Sequence, residues 1–185
     1  MKTKNMFIVF VVVAIVQAFV PLKMIYDTEK INDEGTVYKF KTQPIDPSDP
    51  FRGKYITLRF EAESFKTTDS LMDMRQDLYV SIEKDSEGYA RVKEVLREEP
   101  EEGDYFKAET YYFSTNGLHL SFPFDRFYME ESKAPQAEVA YRKYSAAKNP
   151  KPAYALVAIK DGQTYLKDVI VDDKPIREYV MEQQE

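Results

Sequence analysis

The sequence predicts a mainly β, or α+β, fold: a single exported, antiparallel β-rich domain with one helix, carried on an N-terminal transmembrane helix. Three observations carry that prediction. The run Met6–Leu22 is almost wholly apolar, four later segments alternate apolar with polar residues, and Asp161-Gly162 sits between two further strand-like segments.

The apolar run reads MFIVFVVVAIVQAFVPL. It follows Lys2 and Lys4, and no acid appears before Asp27. Crossing a bilayer core takes about 20 apolar residues. Continuing through Met24, Ile25 and Tyr26 reaches that length at the cost of Gln17, Pro21 and Lys23. Lysines ahead of the run favour a cytoplasmic N-terminus, which puts everything after Tyr26 on the extracytoplasmic side. The expected division is an anchor over residues 1–26 and an exported domain over residues 27–185. A cleaved signal peptide is the competing reading, with Val16-Gln17-Ala18 as its small-residue site. Phe19 and Val20 prolong the apolar run past that site, so a retained single-pass anchor is preferred.

Strands are expected at Val37–Lys41, Lys54–Glu63, Leu78–Glu83 and Tyr89–Leu96, where Tyr, Val, Ile and Phe alternate with polar residues. In the second, Ile56, Leu58, Phe60 and Ala62 form the buried side, and Tyr55, Thr57, Arg59 and Glu61 the other. Lys84–Gly88 reads as a hairpin loop ending in glycine. Ala153–Lys160 and Gln163–Val171 flank Asp161-Gly162, a strong hairpin signal because both central residues of a type I′ turn need positive φ. Glu130–Lys148 is the helical candidate, with Ala134, Ala137, Ala140, Tyr141 and Tyr144 roughly on one face. Pro135 suits its first turn, and Asn149-Pro150 ends it. A shorter turn is expected over Asp69–Asp77, a solvated acidic loop over Glu98–Asp104, and a frayed end over Met181–Glu185.

Charge narrows the partners. Residues 27–185 hold 23 basic against 32 acidic residues, a formal charge of −9. With no basic patch, nucleic acid and anionic lipid surfaces are poor partners. The chain has no cysteine, so it has no disulfide, no thiol chemistry and no attachment point for a lipid on sulfur. Its 159 exported residues suffice for one core without metal or disulfide help.

Pro44–Phe60, PIDPSDPFRGKYITLRF, is the densest stretch. Two Asp-Pro pairs force extended geometry at Asp46 and Asp49, and Gly53 permits a tight turn before the strand. Such a loop would bring Asp46, Asp49 and Arg52 together. Arg52 would then be a two-pronged donor to an anion or peptide carboxylate, or simply tie the loop to the strand. A weak echo links Pro50-Phe51-Arg52-Gly53-Lys54-Tyr55 with Pro123-Phe124-Asp125-Arg126-Phe127-Tyr128.

Gly53, Tyr55, Leu58 and Phe60 stand as G-x-Y-x-x-L-x-F, which resembles the motif that names the GDYXXLXY family. Asp46–Arg52 looks like that family's lead-in. Phe122-Pro123-Phe124-Asp125-Arg126-Phe127-Tyr128-Met129-Glu130-Glu131, with Ala134 and Glu138 beyond, resembles its second signature. Lys54 replaces the motif's Asp and Phe60 its final Tyr. The resemblance implies a bacterial, membrane-anchored protein, often encoded near or fused to multi-pass membrane proteins, with no assigned activity; no cofactor is expected. The expected interaction surface is the neighbourhood of Asp49, Arg52, Tyr55, Arg126, Tyr128, Glu130 and Glu131. There the Arg52 and Arg126 loops should converge, with Arg126 pairing with Glu131 or Asp49.

Arg52–Phe60 and Tyr89–Val95 also resemble, more weakly, segments of type I signal peptidases, whose serine is activated by a lysine base. Here that lysine falls on Arg91, which stays protonated, and no Ser-Met pair follows the anchor. Lys93 has no serine partner that the sequence names. The rival reading is therefore a degenerate or unrecognised envelope hydrolase of similar β-fold. His119 is the only histidine, and in Leu118–Phe122 it reads as a packed strand residue. Glu130, Glu131 and Glu138 with Asp46 and Asp49 lack the spacing of a calcium loop, so no catalytic or metal-binding residue is assigned. Tyr111-Tyr112-Phe113 is expected in core or edge packing; exposure there would mark an interface.

Overall fold

The computed structural model describes residues 3–43, 55–67, 76–114, 117–128 and 153–182. Helix α1 spans Thr3–Glu34, 32 residues, and is long and apolar enough to cross a membrane. It runs eight residues past Tyr26. Lys23 pairs with Asp27 one turn on, and the Thr28 hydroxyl donates to the Met24 carbonyl at 2.9 Å. Ile31 then buries on the domain, Lys160 pairs with Glu34 at 2.6 Å, and Lys167 donates to the Asn32 carbonyl at 2.8 Å. The helix is thus continuous from the apolar span into the domain.

The domain is β-rich, and the ladders among the named strands are antiparallel. Strands β1 (Thr36–Lys41), β9 (Tyr154–Lys160), β10 (Gln163–Val171) and β11 (Lys174–Pro175) form one sheet in the order β1-β9-β10-β11. Strands β3 (Ser64–Phe65), β4 (Asp77–Lys84), β5 (Ala90–Leu96), β6 (Tyr105–Ser114) and β7 (Gly117–Ser121) form a second, ordered β3-β7-β6-β4-β5. A two-stranded ladder joins β2 (Tyr55–Thr57) to β8 (Arg126–Tyr128). Helix α2 (Ile176–Glu182) follows β11 and seats Ile176 in the core.

Two two-residue turns set the register of the first sheet. Asp161 and Gly162 have φ of 49° and 74°, as a type I′ turn requires. Asp172 and Asp173 repeat the device at 53° and 65°, between Val171 and its partner Lys174. Aspartate tolerates the left-handed region better than most residues, which lets this turn form without glycine. The Lys84–Gly88 hairpin also forms, with Gly88 at φ 83°.

Lys54–Glu63 does not continue as one strand. After Thr57 the chain bends: the Leu58 amide donates to the Asp125 carbonyl at 2.7 Å, and Glu61–Glu63 close a 3-10 turn. The buried side holds through Ile56, Leu58 and Phe60, while Tyr55, Thr57, Arg59 and Glu61 stay out. Changing the period from two to three then sends Glu63, not Ala62, inward behind Phe60. Ala62 is half-buried.

Phe40 of β1 lies in the core with Phe60, Phe106, Phe122 and Phe124, its ring centroid 4.9–6.1 Å from each of the others. Most of these pairs are edge-on or tilted, as ring quadrupoles prefer. Phe40 and Phe106 belong to the two larger sheets, so this cluster joins them.

Some expectations fall elsewhere. The Glu130–Lys148 helix lies outside the described residues, as does most of Asp69–Asp77, whose last residue begins β4. Met181 and Glu182 form the last residues of α2, since Ile176 anchors that helix to the core. The 98–104 loop is mostly exposed, but Asp104 accepts a 2.8 Å hydrogen bond from Tyr38 and Glu99 accepts one from Tyr105.

Candidate functional site

The two echoing motifs meet as neighbouring strands. Across β2 and β8, Tyr55 faces Tyr128, Ile56 faces Phe127, and Thr57 faces Arg126. Alternation gives the ladder two faces. Ile56 and Phe127 turn into the core, while Tyr55, Thr57, Arg126 and Tyr128 face the other way.

On that outer face the side chains form one cluster. The Tyr55 and Tyr128 rings sit 5.4 Å apart, and the Arg126 guanidinium lies 5.2 Å from the Tyr55 ring centroid. Asp125 approaches Arg126 at 3.7 Å. Hydrogen bonding to Tyr128 and the Asp125 charge hold Arg126 still more firmly protonated. Tyr128 remains 60% exposed. Beneath, Arg177 of α2 lies 5.4 Å from the Phe127 ring, backing the ladder from the C-terminal helix. A cation held against two tyrosines presents apolar ring surface with donors at its rim, chemistry suited to carboxylates, carbonyls and aromatic side chains.

Of the residues expected at the site, Tyr55, Arg126 and Tyr128 come together here. Leu58 and Phe60 are fully buried, and supply packing rather than surface. Asp46, Asp49, Arg52, Gly53, Glu130 and Glu131 lie outside the described residues. Among the described residues, Arg126 finds Asp125 and the two tyrosines.

Glu63 was not legible as special. It is almost fully buried, with Arg59 at 3.7 Å. Burial pushes its carboxyl up to about 7, with Arg59 opposing and Asp125 adding to the rise. The signal was an acid three residues beyond Phe60, which only a helical period would turn inward.

His119 is packed on a strand as expected, but it has a serine. Ser64 faces it across β3 and β7, Oγ 3.1 Å from Nδ1, and the imidazole stacks on Tyr112 at 4.2 Å and 15°. Tyr111, Tyr112 and Phe113 are 60%, 41% and 41% exposed, so they do not pack in the core. Arg91 pairs with Glu83 across the β4–β5 hairpin through a 2.6 Å Nε hydrogen bond, and Lys93 is exposed on the same strand. Among the described residues, no group of three or more His, Asp or Glu could hold a metal ion.

The sequence profile of one protein family, described as GDYXXLXY protein, matches residues 17–169. Neither a curated protein nor a solved structure matches the chain.

Proposed function

We propose, from the premise that this chain belongs to the GDYXXLXY family, that it is a non-catalytic accessory or binding domain of a bacterial envelope complex. The family carries no assigned activity. Its partner on this reading is a multi-pass membrane protein, met by the exposed face of Tyr55, Arg126 and Tyr128, together with the Asp49, Arg52, Glu130 and Glu131 segments. The N-terminus is cytoplasmic and the domain extracytoplasmic, which follows from Lys2 and Lys4 ahead of the span.

The observation that carries this reading is the β2–β8 ladder. It joins two motifs distant in sequence and turns their tyrosines and arginine outward instead of into the core. Aromatic residues and arginine dominate the energetic centres of interfaces. The helix that continues from the apolar span into the domain supports it as well, because it ties the domain as a whole to the span.

The test is a photo-crosslinking residue at position 128 in full-length protein, irradiated in native membranes. An adduct with one multi-pass membrane protein, absent when the same residue sits at 93 and lost with Arg126→Ala, is expected. Equal adducts at both positions, or none at 128, would refute the reading.

The hydrolase alternative has one observation in its favour, the Ser64–His119 pair. Labelling of Ser64 by a fluorophosphonate, abolished by His119→Ala, would establish it. An unlabelled Ser64 removes it.

A further inference from the structure

The membrane span carries one polar side chain in its middle. Gln17 lies eleven residues from Met6 and nine from Tyr26, within about 2 Å of the span's midpoint at ~1.5 Å rise per residue. Its side chain is exposed on the helix surface, and among the described residues nothing hydrogen-bonds to it. Four residues on, Pro21 lies inside the helix. Proline has no N–H, so the Gln17 carbonyl loses its intrahelical donor. One residue therefore presents an amide N–H₂, an amide oxygen and a backbone carbonyl without its usual donor at a depth where lipid offers no partner.

We propose that Gln17 joins two copies of this chain in a parallel helix dimer across the membrane. Copies inserted in the same orientation place both Gln17 residues at the same depth. A carboxamide donates and accepts, so a two-fold axis lets each Gln17 N–H₂ donate to the other's amide oxygen or freed carbonyl. An identical helix thus offers partners to these groups without calling on another polar residue; the span's others, Lys23 and Tyr26, lie at its end. The surrounding surface suits close approach. Phe10, Ala14, Gln17 and Pro21 follow at spacings of four, three and four, the seam spacing of paired helices. Ala14 and the adjoining Ala18 leave room for the backbones to near one another.

The chain has no cysteine, which makes single-cysteine crosslinking of the full-length protein in its native membrane a clean test. Phe10→Cys and Ala14→Cys are expected to form disulfide-linked homodimers on oxidation, whereas Val12→Cys and Val16→Cys, on the opposite face, are not. In phosphatidylcholine vesicles of rising lipid-to-protein ratio, Gln17→Leu should weaken self-association about five- to thirtyfold, the range of one or two interhelical hydrogen bonds. Equal crosslinking on both faces, self-association unchanged by Gln17→Leu, adducts of Ala14→Cys with a different protein instead of itself, or recovery of protein lacking residues 1–18 would each overturn the proposal.

Discussion

Tyr55 stands directly opposite Tyr128 in a three-residue antiparallel ladder, their ring centroids 5.4 Å apart, with Arg126 over the Tyr55 ring. Each tyrosine comes from a different motif, 73 positions apart in the chain. Cross-strand aromatic pairs add roughly 0.2–1 kcal/mol beyond alanine. A double-mutant cycle with Tyr55→Ala and Tyr128→Ala, read by urea unfolding, should give a coupling of about 0.5 kcal/mol. Strict additivity would mean the rings do not support one another.

The phenylalanine cluster should behave differently. Phe40 is fully buried and meets four other rings. Truncating a core phenylalanine removes both transfer energy and packing, so Phe40→Ala should cost about 3–5 kcal/mol in chemical denaturation. Tyr111→Ala, at a 60% exposed position, should change stability by no more than ~0.5 kcal/mol.

Glu63 should make stability depend on pH. Its carboxyl titrates at about 7 in the folded chain against an ordinary 4.5, because burial disfavours the charged form. The folded state therefore holds a proton that the unfolded state releases. That contribution is complete below pH 4.5 and is lost as pH rises to about 7. Unfolding curves at pH 4.5, 6 and 7.5 should show wild type losing stability relative to Glu63→Gln across this window. Parallel pH profiles for the two proteins would show that Glu63 titrates normally.

The joint between anchor and domain depends on Gly35. A Cβ there would lie 2.5 Å from the Ile31 carbonyl oxygen and 3.2 Å from the Ala158 Cβ. Backbone on one side and a packed strand on the other leave little room to give. Gly35→Ala should therefore loosen the last turn of α1 from β9 and β10, at a cost of about 1–3 kcal/mol. Limited proteolysis should show faster cleavage near residues 30–35, while the β-domain itself stays resistant.

Much of the architecture was legible because it rests on local patterns. The apolar run, three of the four alternating strands and the positive-φ turn at Asp161-Gly162 are properties of neighbouring residues, and these appear where the sequence placed them, whereas Lys54–Glu63 keeps a strand ladder only over Tyr55–Thr57. The Asp172-Asp173 turn went unread because it lacks glycine. The 3-10 turn at Glu61–Glu63 went unread because a strand pattern gives no warning that its period will change.

Within the candidate site, residue order alone told which residues alternate outward and that two motifs share an arginine and a tyrosine. It also determined that a long apolar helix, with Gln17 and Pro21 inside it, begins the chain. It takes the folded chain to make Tyr55 and Tyr128 partners, to set Ser64 facing His119, and to bury Glu63 beside Arg59. Those relationships join segments through long-range strand pairing or a change of local period. Their geometry follows from closing one shared core around Phe40 and Phe106, which no single segment encodes.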